Sequence, residues 1–210
     1  MKKKDKAEFA AQELKKLYPH VECELIYNKP FELLVATRLS ARCTDKCVNK
    51  VTPALFERYP TIEALASASV SEVEKYVEPC GLYKVKAKEI VAMCGQLIND
   101  FGGEIPQTMK ELLSLSGVGR KSANLILGEL FSKPAYVCDT HVIKITNRLG
   151  LTTGTDASKV EKQLRELIPE DESLGFCHRL VRFGRAVCTS RNPKCDECVL
   201  KKICPSQEKA

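Results

Sequence analysis

Four cysteines late in the chain are the residues whose types and spacing most directly suggest chemistry. Cys188, Cys195, Cys198 and Cys204 follow the pattern C-x6-C-x2-C-x5-C within seventeen residues. Four thiolates in so short a segment can hold either a structural zinc ion or a [4Fe-4S] cluster. The spacing alone leaves both kinds of site open. A group held by four protein ligands has no open position for a substrate, so its expected role is to hold a loop.

The stretch LSGVGRKSA places Gly117 and Gly119 between two helical segments and continues directly with Arg120 and Lys121. Glycine takes positive φ readily, so these residues can simply reverse the chain between two helices. The same turn can also present backbone N–H groups at a helix N-terminus, where the helix dipole favours an anion such as phosphate. The sequence therefore supports two interpretations, an ordinary helical hairpin and a phosphate-binding one.

Lys121 is the residue of this hairpin that could do covalent chemistry. A lysine amine is a nucleophile only when neutral, so its pKa of about 10.4 must be lowered by burial, a cationic neighbour or a helix dipole. Arg120 and the predicted helix N-terminus supply the last two influences. Lys121 is also one of 33 basic residues, so a solvated or phosphate-contacting lysine is the alternative.

Asp139 immediately precedes the segment THVIKI. An aspartate in this position can cap a helix by accepting a backbone N–H. Capping also fixes the carboxylate, and a fixed anion can stabilise positive charge that develops on a sugar. The capping and catalytic interpretations are therefore compatible.

The composition limits the classes of protein that need be considered. The net charge is +6, which fits a polyanionic partner without requiring one. Acidic residues interrupt the basic N-terminal stretch, and no window contains the roughly 18 apolar residues of a membrane span. We therefore expect an intracellular protein with no membrane association. In a reducing compartment the odd number of cysteines, eleven, argues against a disulfide framework.

The elements that position these groups are expected to be helices, because apolar residues recur at steps of three and four through most of the chain. The predicted helical segments cover residues 31–41, 46–59, 71–77, 83–101, 121–131, 140–150, 157–168 and 173–188. Pro53 is predicted to bend or divide the second of them. Strand-like alternation is nowhere sustained, so the sequence predicts an all-α protein of about ten short helices.

Taken together, these motifs resemble the endonuclease III family of DNA glycosylase/AP lyases, from about residue 31 to Cys204. The similar pieces are PFELLVATRLSA, TDKCVNK, GLYKVKAKEI, LSGVGRKSAN, VCDTHV and the C-terminal cysteines. The hairpin fits L-x-G-V-G-x-x-x-A and is similar to the helix-hairpin-helix of DNA-binding proteins, with Ser116 where that motif usually has proline. The cysteine spacing is also the one with which this family holds a [4Fe-4S] cluster.

The resemblance implies a two-lobed, all-α helix-hairpin-helix glycosylase fold. Residues 23–133 would form a helical barrel domain with the hairpin, and residues 1–22 plus 134–210 would form the iron-sulfur cluster domain. DNA would lie in the cleft between these lobes. The backbone of Gly117, Val118 and Gly119 would bind DNA phosphates, together with Arg120.

The implied activity is excision of oxidised pyrimidines from duplex DNA, followed by strand cleavage 3′ to the abasic site. Lys121 would be the nucleophile that forms a Schiff base and permits β-elimination, and Asp139 the essential carboxylate. The expected partner is double-stranded DNA with damaged pyrimidines or abasic sites. The expected protein is a monomer of the prokaryotic cytoplasm, associated with the nucleoid through DNA.

Four further residues are expected to contact DNA because of the resemblance. Arg42 stands where the family usually has glutamine, and with Leu82 it would fill the space left by a flipped nucleotide. Arginine can hydrogen-bond the orphaned base, so the preference for the opposite base is expected to differ. Arg191 and Lys194, in the loop between the first two clustered cysteines, would meet DNA phosphates; a solvated basic tail is the alternative.

Two other functions are compatible with part of these motifs. A monofunctional adenine or mismatch glycosylase would keep the hairpin, the aspartate and the cysteines but usually lacks a lysine at position 121. The adenine type also carries an extra C-terminal domain, for which this chain has no room. A non-catalytic DNA-binding or electron-transfer iron-sulfur protein would need neither Lys121 nor Asp139. The presence of both residues favours the glycosylase/lyase.

Overall fold

The computed structural model describes residues 1–206, and within that range it contains α-helices, short 3-10 turns and no β-strand. The α-helices are α1 (Lys3–Leu17), α2 (Pro30–Leu39), α3 (Asp45–Arg58), α4 (Ile62–Ala66), α5 (Val70–Val77), α6 (Tyr83–Phe101), α7 (Met109–Ser114), α8 (Arg120–Phe131), α9 (Thr140–Arg148), α10 (Ala157–Arg165) and α11 (Ser173–Ala186). The predicted all-α fold is confirmed.

Short polar side chains begin many of these helices, because they satisfy N–H groups that have no partner in the first turn. The hydroxyl of Thr44 accepts the N–H of Cys47 at 3.2 Å, and Thr61 and Thr108 cap α4 and α7 in the same way. Gly102 ends α6 in the left-handed conformation, with its N–H donating to the carbonyl of Leu97. These local signals explain why helix boundaries lie close to the sequence-based predictions.

Pro53 does not divide the helix, as the sequence suggested it could. It lies inside α3, which is continuous from Asp45 to Arg58. Proline removes one backbone donor, so the carbonyl of Asn49 loses its partner in the helix. Pro53 is exposed, and a carbonyl freed on a solvated face can bond to water instead.

The chain forms two compact units, Cys23–Phe131 and a second unit built from Met1–Glu22 and Ser132–Ala210. In the first, α2 is buried on nearly every side, which is the pattern of a central helix. Helices α3, α6 and α8 contact it. The first unit therefore has its core around α2.

In the second unit, α11 is the main core helix. It contributes Phe176, Leu180 and Phe183, each at most 1% exposed, and packs against α1 and α9. Gly184 lets α9 approach closely, because a Cβ at this position would lie 2.6 Å from His141 Nδ1.

Among the helices of residues 1–206, none combines the length and the apolar character that a membrane span requires.

Candidate functional site

The glycine turn predicted from the sequence joins α7 to α8 as a tight helical hairpin. Val118 donates its N–H to the carbonyl of Leu115 at 3.1 Å, and Gln96 of α6 accepts the N–H of Ser116 at 2.7 Å. Val118 is buried whereas Gly117 and Gly119 are exposed. The valine therefore anchors the turn to the core, and both glycines face solvent.

The two glycines are needed for different reasons. Gly117 has φ of +75°, and a Cβ there would lie 2.7 Å from two side-chain atoms of Arg38 and 3.0 Å from a carboxylate oxygen of Glu89. Arg38 and Glu89 form an ion pair directly under the turn. A Cβ on Gly119 would meet nothing within 4 Å. The protein's own packing thus requires glycine at 117, and it leaves open space over Gly119 where another molecule can approach the backbone.

Lys121 lies in the first turn of α8, next to Arg120, and its side chain is exposed. No glutamate or aspartate occurs in that first turn, so the N-terminal end of the helix keeps its positive character. The hairpin therefore presents backbone donors and an accessible amine at one helix N-terminus, as the sequence indicated. Such an end is suited to an anion such as phosphate.

Asp139 is the N-cap of α9, as one interpretation of the sequence predicted. Its carboxylate oxygen accepts the N–H of Val142 at 2.8 Å, and the residue is only partly exposed. The preceding Cys138 is 4% exposed, and burial, with a smaller contribution from Glu161, raises its pKa to about 12. The carboxylate is thus held in one orientation beside a protonated, inert thiol.

The four C-terminal cysteines converge on one pocket. Its lining comprises Arg148, Val187, Cys188, Pro193, Lys194, Cys195, Cys198, Lys201, Cys204 and Ser206. Burial raises the pKa of the Cys198 thiol, a hydrogen bond with the backbone of Leu200 opposes this rise, and interactions with Cys188, Cys204 and Cys195 add to it. The side chains at positions 188, 195, 198 and 204 are therefore close enough to share one bound group.

Arg148, at the C-terminal end of α9, is a residue that the sequence analysis missed. One guanidinium nitrogen donates to Cys188 Sγ at 3.3 Å and to the carbonyl of Thr189 at 2.9 Å, and the other donates to the carbonyl of Ser190 at 3.1 Å. The carbonyl of Arg148 accepts from Ser206 Oγ at 3.0 Å. Nothing in the local sequence marks this arginine, because its partners lie 40 or more residues away.

Arg42 and Leu82 share an uncommon backbone conformation. Their φ values are +54° and +49°, and both side chains are exposed, Leu82 at 56%. They lie in the same part of the first unit, since the sulfur atoms of the adjacent Cys43 and the nearby Cys80 are within 4.8 Å of each other. Non-glycine residues with positive φ carry strain that is often associated with function.

Arg191 and Lys194 are both exposed in the loop between Cys188 and Cys195. This loop is folded on itself, since Thr189 Oγ1 donates to the carbonyl of Asn192 at 2.6 Å and Lys194 N–H to the carbonyl of Val187 at 3.0 Å. The two basic side chains therefore project from an ordered loop.

Comparison with known proteins identifies the family. Residues 35–170, more than half of the chain, match the HhH-GPD superfamily of base excision DNA repair proteins. The chain is 48% identical over 196 residues to endonuclease III of Synechocystis sp., which covers 93% of this chain and 90% of the relative. The chain belongs to the endonuclease III family. Endonuclease III of Bacillus subtilis is 40% identical over 203 residues, 96% of this chain and 93% of the relative.

Solved structures of endonuclease III agree with this membership. A non-covalent endonuclease III–DNA complex matches with a TM-score of 0.95 and 40% identity, and covers 100% of this chain and 98% of that one. A trapped endonuclease III–DNA covalent intermediate matches with the same score and identity, covering 100% and 99%. The predicted helix-hairpin-helix glycosylase fold and the predicted family are both confirmed.

Residues 188–204 match the iron-sulfur binding domain of endonuclease III. This match decides between the two metal groups that the spacing left open, and the prediction of a [4Fe-4S] cluster is confirmed. The donor set fits this group, because the four cysteines line one pocket together and a [4Fe-4S] cluster takes four cysteine ligands.

Proposed function

We propose that Lys121 and Asp139 carry the reaction of this endonuclease III family member, a bifunctional DNA glycosylase/AP lyase of base-excision repair. The observation that supports the proposal best is the close similarity, over the whole chain, to an endonuclease III trapped as a covalent intermediate with DNA. A covalent link needs a nucleophile on the protein. The exposed amine of Lys121, at a helix N-terminus beside the hairpin turn, is suited to that role.

The reaction starts from a damaged nucleotide flipped out of the duplex, because its sugar is otherwise inaccessible. Lys121 Nζ attacks C1′ as the bond between C1′ and the base breaks, and the departing base takes the electron pair and a proton. The carboxylate of Asp139, held by its bond to Val142, helps remove the proton from the amine and stabilises the positive charge on the sugar. The capped orientation keeps this anion fixed without reorganisation.

Ring opening then gives a protonated Schiff base between Lys121 and C1′. Loss of a proton from C2′ sends electrons toward the iminium nitrogen and expels the 3′ phosphate from C3′. Water releases the lysine from the unsaturated sugar. One amine therefore serves both base removal and strand cleavage, and no oxidant or reductant is consumed.

DNA is the partner, and the hairpin is proposed to bind its backbone. The exposed turn at Gly117 and Gly119, with Arg120, is suited to binding phosphates. Such contacts do not distinguish one DNA sequence from another. Arg42 and Leu82 are proposed to fill the space of the flipped nucleotide, and Arg191 and Lys194 to contact phosphates from the cluster loop. We further propose that the substrates carry oxidised pyrimidines, that the protein acts as a monomer, and that it associates with the nucleoid.

The cluster supplies no step of this reaction in our proposal. The cysteines at positions 188, 195, 198 and 204 would hold it, and the cluster when bound holds together the loop that carries Arg191 and Lys194. Arg148 would position Cys188 and the following two carbonyls. The four protein ligands leave no open coordination position for DNA.

Borohydride trapping tests the assignment of Lys121. The protein is incubated with a duplex that carries one thymine glycol, borohydride is added, and covalent protein–DNA adducts are separated by denaturing electrophoresis. The wild type is expected to form an adduct that Lys121→Gln does not form, while Lys133→Gln, also exposed and seated after α8, retains it. An adduct of normal yield from Lys121→Gln would refute the assignment.

A second readout separates the roles of the two residues. Asp139→Asn keeps an oxygen that can accept the N–H of Val142, so the helix cap and the fold are expected to survive. Its loss of negative charge is expected to slow adduct formation by about 100-fold or more. An unchanged rate in this variant would exclude a catalytic role for the carboxylate and leave it as a cap.

A further inference from the structure

Three cysteines outside the cluster loop form a separate group of thiols. The sulfur atoms of Cys43, Cys47 and Cys80 all lie within 4.8 Å of one another. Cys43 and Cys47 belong to the segment at the start of α3, whereas Cys80 ends the 3-10 turn Glu78–Cys80 before α6. Two cysteines four residues apart, Cys43 and Cys47, are too few for a metal site; the fold adds the third thiol from 33 residues away.

The spacing of these sulfurs suits one shared metal ion. Around a tetrahedral zinc ion with Zn–S bonds of about 2.3 Å, sulfur ligands lie about 3.8 Å apart. The observed separations need only a small side-chain adjustment to reach that value. Cys80 is 2% exposed, but Cys43 and Cys47 are partly exposed, so an ion can enter from solvent and a fourth position remains for water.

A buried lysine beside the thiols supplies a second, independent observation. Lys86 is fully buried, and its ammonium donates to the carbonyls of Leu39 and Cys80 at 2.8 Å each. Both acceptors are neutral, and in the described part of the chain no carboxylate is bonded to this amine. A buried charge ordinarily has an opposite charge nearby.

The three sulfurs are the groups that can provide that charge. Burial lowers the pKa of Lys86, and Cys43, Cys80 and Cys47 oppose this shift because their negative charge favours the ammonium form. Three thiolates with one Zn²⁺ carry a net charge of −1, which the ammonium of Lys86 would neutralise. The bound site and the adjacent ammonium would therefore have no net charge. Sulfur ligands also favour a soft or borderline ion such as zinc over Mg²⁺ or Ca²⁺.

We propose that Cys43, Cys47 and Cys80 form a binding site for one zinc ion, separate from the iron-sulfur cluster. The site joins the segment that follows α2 to the turn that precedes α6. Cys47 already links them weakly, because its Sγ lies 3.3 Å from the carbonyl of Pro79. A bound ion would replace this contact with three metal–sulfur bonds.

The proposed site has a consequence for the residues next to it. Arg42 immediately precedes Cys43, and Leu82 follows Cys80 by two residues; both are exposed with positive φ. Zinc would hold both backbone segments in these strained conformations, so less conformational freedom would be lost when the protein binds DNA. This consequence rests on the proposed roles of Arg42 and Leu82 in DNA binding, whereas zinc binding itself does not.

The experiment uses the full chain purified anaerobically with its cluster. Zinc is added, the protein is desalted, and zinc and iron are measured in the same sample, with X-ray absorption at the zinc edge. We expect about one zinc per chain with about three sulfur neighbours at about 2.3 Å, and unchanged iron. Retained zinc with lost iron would instead place it in the cluster pocket and overturn the proposal.

Serine variants identify the ligands. Cys43→Ser and Cys47→Ser are each expected to weaken zinc binding by more than about 100-fold. Even substitutions of residues that only hydrogen-bond to metal ligands lower metal affinity by about 10- to 100-fold. Cys23→Ser is the matched control, because Cys23 is also partly exposed and in the same unit but lies outside the group. Equal zinc affinity in all three variants would overturn the proposal.

A measurement on unmodified protein covers the case in which the variants fold poorly. Zinc is expected to slow alkylation of Cys43 and Cys47, read by peptide mass spectrometry, and to leave that of Cys23 unchanged. Equal alkylation with and without zinc, or a disulfide within the group in place of bound zinc, would refute the site. Affinity for abasic-site DNA, with and without zinc, then tests the DNA consequence alone, and zinc binding without a change in affinity would reject only that consequence.

Discussion

At the scale of single residues, Leu82 combines exposure with backbone strain. Its φ of +49° is unusual for a branched apolar residue, and 56% of its surface is exposed. An exposed leucine stabilises a fold little, and left-handed backbone costs about 1–2 kcal/mol in non-glycine residues. Packing therefore does not explain why leucine stands here, whereas insertion into DNA would.

Leu82→Gly tests this explanation. Glycine relieves the left-handed strain but adds flexibility to the unfolded chain, so we expect the free energy of unfolding in urea to change by less than about 1 kcal/mol. Cleavage of a thymine glycol duplex is expected to fall by at least about 10-fold, because the side chain that fills the gap is gone.

The control for Leu82→Gly is Leu82→Ala, which keeps the strain and also removes most of the side chain. We expect the alanine variant to lose cleavage equally and to be slightly less stable than the glycine variant. Wild-type cleavage rates in Leu82→Gly would show that the side chain has no role in the gap.

At the scale of elements, the two glycines of the hairpin between α7 and α8 are under different structural constraints. Glycine is required at position 117 by the φ of +75° and by the Arg38–Glu89 ion pair beneath the turn, and neither constraint applies at position 119. A Cβ at 117 must displace a half-buried ion pair. A Cβ at 119 enters only the space above the turn, where the DNA backbone is proposed to lie.

The paired variants Gly117→Ala and Gly119→Ala are expected to behave differently. Gly117→Ala should lower the free energy of unfolding by about 2 kcal/mol or more, because the left-handed conformation and the contact with Arg38 both oppose a Cβ. Gly119→Ala should change it by less than about 0.5 kcal/mol. It should nevertheless weaken binding to duplex DNA by at least about 10-fold.

Chemical denaturation and fluorescence anisotropy measure these two effects separately. Serine at position 116 provides a neutral control, since Ser116→Ala changes the same turn without altering φ at either glycine. If Gly119→Ala binds DNA as tightly as the wild type, the backbone at this position does not approach phosphate.

Helix α9 connects the proposed catalytic carboxylate of the second unit to its cluster loop. Its N-terminus is capped by Asp139, and its last residue, Arg148, holds the cluster loop through Cys188 and the carbonyls of Thr189 and Ser190. Nine helical residues span about 13 Å. Lys144, on the same helix, adds a bond from its amine to Ser190 Oγ at 3.3 Å.

Arg148→Met is expected to destabilise the cluster loop. The substitution keeps much of the apolar stem but removes three hydrogen bonds and leaves the part-buried carbonyl of Thr189 without its partner, at a cost of about 1 kcal/mol or more. A chelator should remove iron several-fold faster from this variant than from the wild type. The visible absorbance of the cluster measures this loss. Arg165→Met, in the same unit but bonded to Glu161, is the matched control; equal rates in both variants would contradict the role of Arg148.

At the scale of the whole molecule, the net charge of +6 is modest, so where the positive charges lie matters more than their sum. The loop between Cys188 and Cys195 presents Arg191 and Lys194 to solvent on an ordered backbone. Contacts between such side chains and phosphates release counterions and make binding depend on salt.

The double variant Arg191→Ala, Lys194→Ala is expected to weaken binding to all DNA sequences alike. The slope of log Kd against log salt should fall by about 2 if both side chains contact phosphates. Lys159→Ala with Lys162→Ala removes the same charge from exposed positions on α10 and should leave the slope nearly unchanged. Equal slopes for the two double variants would mean that net charge alone accounts for the effect.

The amino-acid sequence by itself predicted the longer helices, the hairpin and the group of four C-terminal cysteines of this protein. Each depends on neighbours in the chain: the periodicity of α6, the two glycines before Arg120, and four cysteines within seventeen residues. Asp139 was predicted as a cap because capping is also local. The family resemblance rests on the same short motifs, and the comparisons confirm it.

Only the tertiary structure decided which distant residues meet. Arg148 reaches Cys188 across 40 positions, Cys80 joins Cys43 and Cys47, and Arg38 with Glu89 lies under Gly117. The continuity of α3 through Pro53 likewise depends on which face of the helix is exposed. Contacts of this kind follow from how helices pack, and packing is set by the combined burial of many side chains rather than by spacing within one segment.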